Sequence, residues 1–519
     1  MSAVAQPAPA GVAPSASRLS PWWPLAALTV AAAALRLSTL GLQSFWYDEA
    51  FTPVHVLHPS LWATLRSVVH SENTPPLWYL LAWADSRILG TGEVALRLPS
   101  ALAGIATVPV AWAIGRELAG RRAALACAAL VAFNPLLVWY SQEARAYALF
   151  VLMAALAMLC FLRAEREPSP RRMAAFALTG ALALLSHYFA VFLLIPMALW
   201  LLYRTRTRRA ALPAAGAIAI VGAALVPLIV AQGGHGTQWI GRWPLIERLE
   251  AIPQYYLTGY SGAPLGHAVE LLVALPILAA LGLGLWRMSE PSGPSLRGVL
   301  VALSIAACGI LIPIVLVAFG ADYLAPRNLV AAMIPVSAVI AVMAVWPRTG
   351  PAGIALVATA ALAFAAISVD VDLSPRLQRG DWRGLAQALG GGSSERAITT
   401  VELGSAPLEY YVHGLRGMHA GTSVTVNEID ETGYAPLRPF AGQPPAPGFA
   451  LIERRDVNGL VVYRFVSPTL RSVSEATLRR HVITLAQPEV LVGAHASLST
   501  ATARAAVALA HLSSLRKKI

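Results

Sequence analysis

"PPLWYLLAWADSRILG", residues 75–90, is apolar enough to look like a membrane span, yet it carries Asp85 and Arg87. Whether it crosses a bilayer decides the side on which every later loop lies. A helical crossing takes about 20 apolar residues. Runs of roughly that length occur at 22–42, 94–115, 121–140, 145–163, 172–186, 188–203, 210–231, 267–287, 297–319, 327–346 and 351–369. Two of them, 172–186 and 188–203, are short and meet at "SHYF". With 75–90 laid along the membrane surface there are about 11 spans, and fifteen Arg fall on one side against seven on the other. Counting 75–90 as a span inverts all later loops and breaks the positive-inside bias. The segment therefore reads as an interfacial helix within a first outer loop of residues 43–93. Pro75 and Pro76, which cannot sit mid-helix, set its entry.

The bulk composition agrees. The chain of 519 residues is 57% hydrophobic and 13% charged, with a mean hydropathy of +0.60. A soluble domain cannot bury that much apolar surface. The net charge of +12 is mostly Arg in short clusters between apolar runs, which is the pattern of cytoplasmic loops and argues against a nucleic-acid partner. Cys127, Cys160 and Cys308 all lie in apolar runs, so no disulfide framework is expected. The first apolar run is longer than a signal-peptide core and reads as a retained anchor. Residues 1–20, rich in Ala, Pro and Ser, read as a disordered cytoplasmic tail. Beyond 370 the composition changes. Segments 396–402, 409–415, 448–455 and 459–466 read as strands and 381–389 as a helix. Together they imply a small soluble α/β domain at 371–470, on the outer side. Residues 471–519, with "ATARAAVALAHL" at 501–512, read as either an amphipathic helix or a disordered tail.

This threading puts the most polar junctions on one, non-cytoplasmic side: "YDEAF", "HSENTPP", "SQEARAY", "SHYF", "GGHGTQW" and "ADYLAPRN". A single extracytoplasmic site assembled from several loops is the economical reading. Asp48 and Glu49 follow the aromatics Phe45, Trp46 and Tyr47, which place them at the membrane interface. Carboxylates kept there need a partner or a use.

"FWYDEAFT" (45–52), "ENTPPLWYLL" (72–81), "RLPSALAG" (97–104), "FNPLLVWYSQEARAYAL" (133–149) and "DYLAPRNL" (322–329), in that order, resemble the GT-C membrane glycosyltransferases. They are most similar to the bacterial protein-mannosyltransferase-like group, which includes the lipid A aminoarabinose transferase and the lipopolysaccharide galacturonosyltransferases. The resemblance implies a polytopic GT-C membrane domain over residues 21–370. It also implies transfer of a hexosyl or pentosyl group from a polyprenyl-phosphate donor to a glycan, lipid or protein acceptor, at the outer face of the cytoplasmic (inner) membrane. Asp48 matches the family's first-loop acid and is the expected general base, with Glu49 orienting the acceptor or Asp48 itself. Inverting displacement is expected, by analogy with inverting glycosidases.

Glu72 matches a second family acid and is expected to contact substrate, to hold its loop, or to ligate, with His235, a divalent metal. Arg327 and Arg145 are the candidates for the donor phosphate, because guanidinium binds phosphate bidentately. Asp322 is expected to pair with Arg327 across one helical turn. Tyr147, Tyr323 and His187 are candidate substrate contacts, and Arg36, inside the first span, reads as structural. The rival reading is a transporter or flippase of lipid-linked saccharide. Such proteins place ionisable groups or broken helices at mid-membrane, whereas these spans are nearly free of Asp and Glu.

Overall fold

The structure is a computed structural model that describes residues 22–235, 237–260, 266–288, 294–347, 349–390, 395–481, 483–484, 487–493 and 498–500. The N-terminal tail at 1–20 and the segment 501–512 lie outside the described residues. Among the described residues, seven helices are long and apolar enough to cross a membrane: Glu93–Phe133, Tyr147–Arg166, Thr205–Gln232, His267–Arg287, Leu296–Ala318, Pro326–Ala344 and Gly350–Leu373. The chain is thus a multi-pass membrane protein, but about 11 spans are not established. The difference lies in Glu93–Phe133, which contains the expected span 94–115 and the first part of 121–140, and in three helices of 15, 17 and 14 residues, Trp23–Leu37, Pro170–Ser186 and Ala190–Tyr203.

Glu93–Phe133 is not one rod. Its backbone leaves helical geometry at Ala119 and at Gly120, where φ is +80°. A Cβ on Gly115 would lie 2.6 Å from the Ala123 carbonyl oxygen. In a straight helix those residues stand about 12 Å apart, so the two halves run back along each other. Segment 75–90 forms the helix Leu77–Leu89, whose 13 residues span only about 20 Å. The Trp83 indole and the Arg87 guanidinium both donate to the His58 carbonyl, tying this helix to the first outer loop.

The expected span 121–140 is interrupted. The residue before a proline is disfavoured in the α region, and the helix ends at Phe133. Asn134 then caps the short helix Pro135–Ser141, its side chain accepting from Leu137 N–H at 3.1 Å. Pro135 has no N–H for the Val131 carbonyl. Arg36 makes good the deficit, donating to Ala132 O at 2.8 Å, Val131 O at 3.5 Å and Ser141 Oγ at 3.1 Å. Arg36→Leu is expected to lower stability by about 2–4 kcal/mol, because it strands these buried acceptors. Thermal unfolding in detergent measures the loss.

The soluble part is larger than the expected 371–470. A mixed sheet of seven strands comprises β1 (Arg396–Val401), β2 (Leu415–Gly417), β3 (Thr422–Gly433), β4 (Ala450–Val457), β5 (Leu460–Ser474), β6 (Pro488–Gly493) and β7 (Leu498–Thr500), in the order β2-β6-β1-β3-β5-β4 with β7 on β3. The boundary at 470 falls inside β5, and β6 pairs with both β1 and β2. The segment 409–415 is not a strand. Its first residues close the helix Ser405–Tyr411, because Tyr410 and Tyr411 are drawn onto the first outer loop. Phe45 N–H donates to the Tyr411 hydroxyl at 2.7 Å, and the Tyr410 ring packs 5.2 Å from Phe45. Helix Trp382–Leu389 covers the sheet with Leu385 and Leu389, and Trp46 of the first outer loop joins that core.

Candidate active site

The loops that join the helices at one end of the bundle meet through three buried carboxylates, the half-buried Asp48 and four arginines. The first outer loop is held by Arg97, which uses all five of its N–H groups. Nε and Nη2 reach the Glu49 carboxylate at 2.7 and 2.6 Å, and the rest go to the carbonyls of Leu40, Gln43 and Ser44. Glu49 also accepts from Ala144 N–H at 2.8 Å. Glu49 is fully buried and lines none of the cavities described below; of the two roles expected of it, orienting the acceptor or Asp48, its contacts fit the second, since it anchors the helix Tyr47–Phe51 that presents Asp48. Arg145 donates to both Glu72 oxygens, at 3.3 and 3.0 Å, and to the Asp48 carbonyl at 3.4 Å. Glu143 and Arg145, two residues apart in the chain, do not pair through their side chains. Glu143 instead takes Arg379, at 3.0 Å, from the segment leading into the sheet domain. The Arg379 guanidinium stacks 3.9 Å from the Trp139 ring centre and reaches Glu49 at 3.9 Å.

Asp48 and Arg327 form the fourth pair. Oδ2 and Nη1 are 2.6 Å apart, although 279 residues separate them. Pro326 opens the turn that presents Arg327, and the Trp239 ring lies 4.9 Å from its guanidinium. Asp322, expected to pair with Arg327, is taken by Arg248 at 2.6 and 2.9 Å.

This pair stands between two cavities. The first, of about 300 Å³, has apolar walls such as Leu184, Phe192, Leu225 and Ile229, and a polar end at Tyr147, His187, Tyr323, Asn328 and Arg327. The second, of about 450 Å³, is lined by Asp48 and by the aromatics Trp46, Trp139, Tyr140 and Tyr260, and it too reaches Arg327. Of the residues singled out from sequence, Asp48, Arg327, Tyr147, Tyr323 and His187 face a cavity, while Glu49, Glu72 and Arg145 lie behind it in the ion-pair network.

His187 is a sandwiched ring, stacked 4.7 Å from Phe150. Its Nδ1 accepts from Phe189 N–H at 3.2 Å, which leaves the proton on Nε2. Burial, with Arg327 and Arg145 adding, holds its pKa down at about 3. His187 is therefore neutral at physiological pH and a hydrogen-bond donor.

The residues do not fit the expected metal set. Both Glu72 oxygens face Arg145, His235 meets this loop only through its carbonyl, which accepts from Asn73, and no group of three or more His, Cys, Asp or Glu among the described residues is arranged to hold a metal ion. Sequence reasoning missed Arg379, Arg248 and Trp239. Arg379 lies past the last span, and nothing in "LQRGDW" marks it as a partner of Glu143.

Burial, with Glu49 and Asp48 nearby and Arg379 opposing, pushes Glu143 up to about 7 from an ordinary 4.5. A carboxyl raised on folding binds its proton more tightly in the native state. Its contribution is complete below about 4.5 and is lost as pH rises through about 7. Glu143→Gln is expected to flatten the fall in stability over that window, as read from melting temperature against pH.

Residues 73–231 match the model of the dolichyl-phosphate-mannose-protein mannosyltransferase family. ArnT from Cupriavidus metallidurans, in its undecaprenyl phosphate-bound crystal structure, superposes with a TM-score of 0.52 at 11% identity, over 86% of this chain and 98% of ArnT. Its apo structure gives 0.51 at 11% identity, over 85% and 97%. The fold is that of a GT-C membrane glycosyltransferase. No curated protein matches the chain by sequence. The GT-C frame accounts for the layout of the site: the first outer loop and the late Pro326–Ala332 turn, far apart in the chain, close on one point at one end of the helices.

Proposed function

We propose that the chain transfers a sugar from a polyprenyl-phosphate donor to an acceptor hydroxyl at the outer face of the cytoplasmic membrane. The observation that carries this reading is the Asp48–Arg327 pair at the seam between an apolar and an aromatic cavity. The donor's lipid chain lies in the apolar cavity and its phosphate at Arg327, with Tyr147, Tyr323 and the His187 Nε2–H as further donors. The sugar reaches into the aromatic cavity. An ArnT structure that holds undecaprenyl phosphate on a similar fold supports this class of donor, and the Arg bias of the loops supports the outer face.

In the free protein Arg327 holds Asp48. Donor phosphate competes for that guanidinium, and charge-assisted, bidentate binding favours the exchange. Asp48 is then free to accept the proton of the acceptor hydroxyl. The acceptor oxygen forms a bond to the anomeric carbon, the bond from that carbon to the phosphate oxygen breaks, and polyprenyl phosphate leaves with the electron pair, stabilised by Arg327. Direct displacement inverts the anomeric centre. Arg145 and Glu72 hold the Asp48 backbone and take no part in the bond changes.

The test uses purified protein in vesicles with a panel of polyprenyl-phosphate sugars and an envelope lipid and glycan extract. Release of free polyprenyl phosphate together with a sugar-tagged product is expected. Movement of intact donor between leaflets without release would make the protein a flippase instead.

A further inference from the structure

A third cavity, of about 480 Å³, opens between the first outer loop and the sheet domain. It shares five residues with the cavity that holds Asp48: Trp46, Tyr47, Trp139, Tyr260 and Tyr434. Trp46 and Tyr47 are the chain neighbours that precede Asp48. The Trp139 and Tyr260 rings are 5.4 Å apart and the Trp46 and Tyr260 rings 6.2 Å, so one aromatic wall serves both spaces. Flat aromatic faces suit the C–H faces of sugar rings, and the rest of the third cavity's lining offers Asn458, Arg376 and the Gln378 amide oxygen as hydrogen-bonding groups. Among the described residues no Asp or Glu lines it. Of its two arginines, Arg379 is spent on Glu143, while Arg376 forms no ion pair with another described residue.

We propose that this cavity is a second acceptor subsite, which takes the penultimate sugar of an oligosaccharide while its terminal sugar meets Asp48. It follows that the acceptor is a glycan of two or more sugars carrying an anionic substituent, phosphate or carboxylate, that Arg376 reads. A peptide hydroxyl has nothing to place there. The inference rests on the transferase reading and names the acceptor of the same site.

The test is binding of the full chain, in nanodiscs of phosphatidylethanolamine and phosphatidylglycerol, to a printed array. The array carries α- and β-linked hexose mono-, di- and trisaccharides, each neutral, phosphorylated or uronic, beside serine-containing hexapeptides. Anionic di- and trisaccharides are expected to bind at least tenfold more tightly than monosaccharides and peptides. Arg376→Trp, which fills the cavity, and Tyr434→Ala, which removes part of its wall at an exposed position, should each abolish that preference. Arg455→Trp, exposed on β4, should keep it. Equal binding of mono- and disaccharides, preference for peptide, absence of glycan binding, or a preference that survives both variants overturns the subsite. Donor turnover is read on the same nanodiscs. Array selectivity without turnover sinks the transferase reading and with it the acceptor role, leaving the cavity a glycan-binding site, whereas turnover without selectivity overturns the subsite and leaves the transferase reading intact.

Discussion

Asp48→Asn is expected to lower kcat by about 10²–10⁴-fold, the usual worth of a positioned general base, with protein yield and melting temperature close to wild type. Asn keeps the shape of the side chain and can still accept a hydrogen bond from Arg327, so the 2.6 Å contact is not replaced by a void. What it cannot do is take the acceptor proton. The split between constants is diagnostic. Losing the carboxylate charge releases Arg327 for the donor phosphate, so the donor KM stays level or falls while kcat collapses. A purely structural Asp48 would show the opposite pattern, with lowered melting temperature and turnover reduced in proportion to folded protein. Glu49→Gln serves as the contrast. It leaves Arg97 without its buried counter-charge, and unpairing a buried ion pair costs about 3–5 kcal/mol, so it acts on folding first.

Arg327→Gln is expected to cut kcat/KM for the donor by about 10²–10³-fold, in line with loss of a preorganised donor to developing negative charge. Its effect falls on both constants, because the same guanidinium binds phosphate in the ground state and stabilises it as it leaves. Arg327→Lys keeps the charge but loses the two-pronged geometry and most of the contact with Trp239, so it should recover only part of the activity. Steady-state rates of polyprenyl phosphate release, measured against donor concentration, separate these cases.

Much of this centre was legible in the sequence because a bilayer imposes its own grammar. Long apolar runs declare spans, and Arg counts choose the threading, which brings "YDEAF", "SQEARAY" and "DYLAPRN" to one end. The contacts of Asp48 with Arg327 and with Arg145 follow from that convergence. Partner choice was not legible. Glu143 and Arg145 are neighbours in sequence yet each pairs elsewhere, and Asp322 turns to Arg248 rather than Arg327. Buried ion pairs are selected by three-dimensional geometry and by the cost of leaving a charge alone, and neither is written in local spacing. The end of the sheet was missed for a related reason. "PEVLVG" (488–493) is a strand only because β1, about 90 residues upstream, lies beside it, and strand propensity is weak without its neighbours. The Asn134–Pro135 break was readable from the proline, but apolar residues on both sides masked it.

The account stands on donor phosphate meeting Arg327 while the anomeric carbon faces Asp48. A cryo-EM structure of the Asp48→Asn protein with a polyprenyl-phosphate sugar that the wild-type protein turns over measures this directly. The expected map has phosphate oxygens about 3 Å from the Arg327 guanidinium, the lipid among Leu184, Leu225 and Ile229, and the sugar against Trp139 and Tyr260. Phosphate bound at the opposite end of the helices, or at this end with Arg327 turned away from it, would contradict the account.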